Sequence, residues 1–101
     1  MTQPINRVGV VGCGLMGAGI TEVFARNGLE VIAVERDEAA LPGGIGHVET
    51  STSRAVKRGK LSEEEKQAIF DRITFTPRLE DLADCHLVIE AVPEKLELKQ
   101  Q

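Results

Sequence analysis

Six residues, Gly12-Cys13-Gly14-Leu15-Met16-Gly17, restrict the fold of this 101-residue chain more than any other stretch. Three glycines at this spacing are a weak signal alone, and their surroundings decide the matter. Before them, Val8, Val10 and Val11 form an apolar run, the pattern of a strand buried on both faces. After them, Ile20, Val23 and Phe24 recur at helical spacing and predict one apolar face. The next strand, Leu29 to Glu35, ends on an acid 18 residues beyond Gly17. Strand, glycine turn, helix and acid together predict a dinucleotide-binding turn. Gly12 allows the tight exit from the strand, Gly14 lets the backbone approach a pyrophosphate, and Gly17 lets the helix lie close. The helix start adds unpaired N–H groups and the positive end of its dipole.

Ile5 to Val11 reads as the first strand, and the helix from about Leu15 stops at Asn27-Gly28. Asp37 caps a short helix, Glu38 to about Leu41. Pro42-Gly43-Gly44 then predicts a break, with the helix resuming near Ile45 or Gly46 and running to about Arg58. Ser62 and Glu65 form a capping box for a helix ending near Asp71. Ile73 to Thr76 and His86 to Ala91 read as further strands, with a turn of helix from Leu79 to Ala83 between them. Pro93 stands at the first turn of a predicted final helix reaching Gln101. The alternation gives an α/β, doubly wound, mostly parallel sheet of about four strands. A complete dinucleotide domain has two such halves, so residues 1–101 read as its N-terminal part.

The composition excludes several classes. A net charge of −4 argues against general nucleic-acid binding, and 3% aromatics against a base-stacking platform. No apolar run approaches the roughly 20 residues of a membrane span, and MTQPINR lacks a signal peptide's apolar core. Cys13 and Cys85 form neither a metal nor a disulfide framework, which places the chain in the reducing cytoplasm with no metal site.

The stretch VGVVGCGLMGAGITEVFARNGLEVIAVE, followed by RAVKRGKLSEEE and LVIEAVPEKLELKQ, resembles the NAD-binding region of the 3-hydroxyacyl-CoA dehydrogenases, of the bacterial 3-hydroxybutyryl-CoA type. The resemblance covers essentially the whole chain. It implies a Rossmann-type fold and an NAD-dependent parent enzyme of fatty-acid or butanoate metabolism, oxidising the 3-hydroxyl of an acyl-CoA to a ketone. It also implies a homodimeric parent and a C-terminal helical substrate and dimerisation domain outside these residues. Matched onto this sequence, Gly12, Cys13, Gly14, Leu15, Met16 and Gly17 would hold the pyrophosphate and Glu35 the adenosine ribose. Glu94 and Lys99 would lie near the cofactor. A serine and a basic residue would touch coenzyme A: the ungapped match gives Ser51 and Arg58, though Ser53 with Lys60 has the same spacing of seven. Pro42-Gly43-Gly44 departs from the family's usual helical run.

Glu35 at the end of the second strand favours NAD over NADP, because an acid repels a 2′-phosphate, and Arg36 beside it softens that preference. Arg54, Lys57, Arg58 and Lys60 form a basic cluster, read either as a solvated helix face or as a contact for coenzyme A phosphates. Cys13 reads as a small filler in the loop and Glu90 as a strand-end carboxylate. His86 starts its strand, roughly 17 Å from the carboxyl edge where cofactors bind, and His47 lies in the second helix. Neither is read as a catalytic base; the resemblance implies that the family's catalytic histidine and its partner glutamate lie later in the sequence, outside this chain. Two other readings share the motif: a 3-hydroxyisobutyrate-type dehydrogenase, and a non-catalytic nucleotide-binding module.

Overall fold

The computed structural model of the protein describes residues 5–12, 14–92 and 95–100. Strands β1 (Arg7–Val11), β2 (Glu30–Val34), β3 (Ile73–Thr76), β4 (Leu87–Val92) and β5 (Lys95–Gln100) form one sheet in the order β3-β2-β1-β4-β5. The first four run parallel and β5 runs antiparallel to β4. The strand order reverses beside β1, which has β2 on one side and β4 on the other. Open α/β sheets bind ligands at the carboxyl ends of the strands on either side of such a reversal.

Helices α1 (Leu15–Arg26), α2 (Leu41–Lys57) and α3 (Glu63–Asp71) join these strands. Ala18 and Ala25 of α1, Val48 of α2 and Ile69 of α3 pack with Val8, Val10, Val31, Ala33 and Ile89 of the sheet. The other face gathers Val34 and Val88 under Leu82 and Cys85 of the segment before β4. The inner side of α1 is built of small residues, Gly17, Ala18, Thr21 and Ala25, together with Glu22. Val23, expected on that face, is 57% exposed. Ile20 and Phe24, expected on the same face, are partly buried and pack against this core, beside the fully buried small residues.

The close approach is visible at two glycines. Gly12 has φ +85°, and a side chain there would run into the Ala91 carbonyl. A Cβ on Gly17 would run into the carbonyl of Gly12. At its far end α1 stops as expected. Gly28 adopts φ +87°, its N–H donates to Ala25 O at 3.1 Å, and the Leu29 N–H donates to Phe24 O at 3.1 Å. That pair of bonds satisfies the last carbonyls of the helix.

The structure corrects two expectations. Pro42-Gly43-Gly44 does not break the second helix, which is continuous over Leu41–Lys57 after a 3-10 turn at Glu38–Ala40. Pro42 falls in the first turn, where its missing N–H has no intrahelical partner to lose. Gly44 is buried in line with Val48, Thr52 and Ala55. The predicted final helix is instead β5. In its sequence leucines alternate with Lys95, Glu97 and Lys99, which is a strand's period, and pairing with β4 covers an edge that would otherwise be open. Pro93, taken as its first turn, lies outside the described residues.

The capping box at Ser62 forms as read: the Glu65 N–H donates to Ser62 Oγ at 3.0 Å and the Ser62 N–H to Glu65 Oε1 at 2.9 Å. Lys66 then reaches across to α2, with its Nζ 2.6 Å from Glu49 Oε1 and 3.0 Å from Ser53 Oγ. The Ser62 amide holds the Glu65 carboxyl below the ordinary range, and the Lys66 ammonium does the same for Glu49.

Gly17→Ala should cost about 3 kcal/mol or more, since the added atom meets fixed backbone. Gly46→Ala, in an exposed helix interior with open space around it, should gain about 0.5–1 kcal/mol in urea unfolding. The lowered carboxyl values give stability present above the ordinary carboxylate range and lost as pH falls through the folded-state values. Glu65→Gln should therefore flatten the acid limb of thermal midpoints measured between about pH 2 and pH 5; parallel limbs would rule this out.

Candidate dinucleotide cleft

The carboxyl ends of β1, β2 and β4 open into a cleft of about 1000 Å³. It is lined by Val11, Val34 and Ala91, by the glycine turn, and by Pro77 and Leu79. Hydrogen bonds across the sheet set the relative positions of these parts. The Gly12 N–H donates to Val34 O at 2.9 Å, tying the glycine turn to the end of β2. One residue later the Glu35 N–H donates to Thr76 O at 3.0 Å. Glu35, 9% exposed, is thus held between the turn and the end of β3, and it lines the cleft.

Thr76 also fixes the side formed by Pro77 and Leu79. Its hydroxyl donates to Asp81 Oδ2 at 2.7 Å and accepts from the Arg78 N–H at 3.2 Å. The Thr76 hydroxyl holds the Asp81 carboxyl below its usual range, with help from Arg78. This small network shapes the turn that presents Leu79, a leucine left 62% exposed. Sequence reading treated Pro77 and Leu79 as a strand end and a turn. The signal available was that parallel strands deliver all their carboxyl ends to one edge.

The start of α1 faces the cleft with no side chain capping it. Gly14 occupies the cap position, and a Cβ built there meets no atom within 4 Å among the described residues other than its chain neighbours. The space beside Gly14 therefore belongs to the cleft, unlike the space beside Gly12 and Gly17. Leu15 and Met16 also line the cleft and are exposed. Cys13 and Glu94 lie outside the described residues. Lys99 stands on β5 opposite Val88, near the start of β4, while Leu96 pairs with Ala91. The reversal of direction into β5 carries its backbone back along the sheet toward the start of β4.

A second groove, about 330 Å³, runs between α1 and α2. Leu15, Ala18, Gly19 and Glu22 form one side and His47, Thr50, Ser51 and Arg54 the other. Leu15 lines both cavities, so the groove opens beside the cleft. Ser51, Arg54 and Arg58 follow at helical spacing along one side of α2 and its cap. The alternative pair is differently placed: Ser53 is engaged with Glu49 and Lys66, and Lys60 follows the helix-ending Gly59. His86 is at the amino end of β4, its Nδ1 accepting from the Asn6 N–H at 3.4 Å. His47 is exposed on the groove and does not line the cleft.

The sequence model of the family described as "3-hydroxyacyl-CoA dehydrogenase, NAD binding domain" matches residues 7–101. The chain belongs to this family. Its cofactor is NAD, and the open space at Gly14 beside an uncapped helix start fits a dinucleotide's pyrophosphate. The match also sets aside the 3-hydroxyisobutyrate-type reading. A curated 3-hydroxybutyryl-CoA dehydrogenase of Mycobacterium tuberculosis is 46% identical across all 101 residues, which cover 35% of that protein. The crystal structure of M. tuberculosis FadB2 is similar at a TM-score of 0.89 and 48% identity, over 92% of this chain and 33% of that one. The (S)-3-hydroxybutyryl-CoA dehydrogenase PaaH1 of Ralstonia eutropha gives a TM-score of 0.86 at 38% identity, over 91% of this chain and 32% of that one. The chain thus spans about a third of the length of the relatives it matches.

Gly14→Val gives a direct check on the cleft. The variant should keep its unfolding free energy within about 1 kcal/mol, because a Cβ there has open space among the described residues. It should lose NAD binding by calorimetry, because the same side chain fills pyrophosphate space. Normal NAD affinity in the variant would show that the space beside Gly14 is not used.

Proposed function

We propose that this domain holds NAD for the oxidation of the 3-hydroxyl of a 3-hydroxyacyl-CoA, with 3-hydroxybutyryl-CoA as the substrate class. The observation that supports it most is Glu35, a nearly buried carboxylate fixed at the end of β2 inside the cleft. A carboxylate there accepts from the ribose 2′-hydroxyl and repels a 2′-phosphate. Gly12, Gly14 and Gly17 with the first N–H groups of α1, at Leu15 and Met16, take the pyrophosphate. Pro77, Leu79 and Ala40 give the adenosine end an apolar wall. Held by these residues, NAD would supply the hydride acceptor for the oxidation.

The domain's own residues bind and orient; they do not take the proton. His86 lies at the opposite edge of the sheet and His47 in the neighbouring groove. We assign the base to the part of the protein outside these residues, as the threefold greater length of the relatives suggests. For the acyl-CoA, Ser51 with Arg54 and Arg58 offers a hydroxyl and two guanidiniums along one side of α2. Guanidinium groups suit the phosphates of coenzyme A. Arg54, which lines the groove directly, joins the pair read from sequence. The buried free thiol of Cys85 suits a reducing cytoplasm, and the parent is expected to be a homodimer.

Titration with NADH, NADPH and acetoacetyl-CoA tests the assignment. NADH should bind more tightly than NADPH, and Glu35→Ala should weaken NADH by about 1–3 kcal/mol, the scale of a charge-assisted hydrogen bond. Reversing charge at Arg54 and Arg58 together should weaken acetoacetyl-CoA more at low salt than at high, since exposed charges are screened. Unchanged affinity at every salt concentration would return the basic cluster to a solvated face.

A further inference from the structure

Glu35 does not act alone at the end of β2. Arg36 lines the same cleft, with its side chain 88% exposed. Its described charge contact is weak: Nε lies 3.8 Å from Asp37 Oδ2, and both groups are exposed. Exposed pairs of this kind contribute little. Asp37 is moreover engaged elsewhere, since its Oδ1 accepts the Ala40 N–H at 3.0 Å as the cap of the 3-10 turn. The guanidinium therefore stands at the mouth of the cleft, next to the carboxylate assigned to the ribose, with little to hold it back.

We propose that Arg36 is a second determinant of cofactor selectivity, its guanidinium taking the 2′-phosphate of NADP against the repulsion of Glu35. The planar fork of an arginine matches phosphate oxygens in a bidentate way, which a lysine does not. NAD, lacking that phosphate, gains little from Arg36. The site then ranks NAD first but binds NADP more tightly than Glu35 alone would permit. This rests on the assignment of Glu35 to the ribose.

Fluorescence titration of the intact protein with NADH and with NADPH tests it. Arg36→Leu keeps bulk at this exposed position and removes the charge. It should weaken NADPH by about tenfold or more, the scale of one charge-assisted bond, and NADH by less than about threefold. The NADPH loss should shrink at high salt. Arg36→Lys should fall between the two. Glu35→Gln should improve NADPH binding, and by less when Arg36→Leu is also present. Equal changes for both cofactors, no change for either, or undetectable NADPH binding by the unaltered protein would overturn the role of Arg36. A Glu35→Gln variant with unaltered NADH and NADPH affinities would instead overturn the ribose assignment.

Discussion

Everything in this domain depends on how closely three backbones meet where β1 ends. The Gly12 carbonyl lies against Gly17 of α1, and Gly12 itself lies against the Ala91 carbonyl of β4. A side chain at either glycine would push these segments apart. Only at this separation can the first turn of α1 stand directly over the carboxyl edge of the sheet. The contact is steric and contributes little hydrogen bonding of its own. Its effect is to fix a geometry, and the small residues along α1 continue it toward Ala25.

That geometry makes the cleft a property of the sheet as a whole. The Gly12 amide bonds to the end of β2, and the Glu35 amide bonds to the end of β3. Thr76 passes the order on to the turn carrying Leu79 through its hydroxyl and Asp81. Each parallel strand thus contributes one component to the same edge: glycine turn, acid, apolar wall and Ala91. The start of α1 and Glu35 both line this cleft.

Helix α2 has a different organisation. Gly44, Val48, Thr52 and Ala55 face inward, and Glu49 with Ser53 meets Lys66 of α3. The remaining side presents Ser51 and Arg54 to the groove beside α1. Because α3 holds one side of α2, the other side is fixed relative to the cleft. Two residue types that look alike in sequence, Ser51 and Ser53, are separated by this arrangement into a groove residue and a structural one.

Local features of the sequence were enough to determine the glycine turn, the helix stop at Gly28, the capping box at Ser62 and the acid at Glu35. In each case a short-range backbone requirement selects a residue type, so the reading needs no neighbour from elsewhere in the chain. Pro42-Gly43-Gly44 was misread because the helix start, and with it the harmlessness of Pro42, depends on where Ala40 and Asp37 end the preceding turn. Of the apolar face read for α1, Ile20 and Phe24 pack on the core and Val23 does not, because the most deeply buried line of the helix runs through Gly17, Ala18, Thr21 and Ala25. The segment after Pro93 carries helix-forming residues in a strand's alternation, and pairing with the edge of β4 decided between them. Which distant residues share the cleft, Leu79 with Glu35 and Ala91 with Gly12, was decided by tertiary structure alone, because strand order is set by long-range packing that no local pattern encodes.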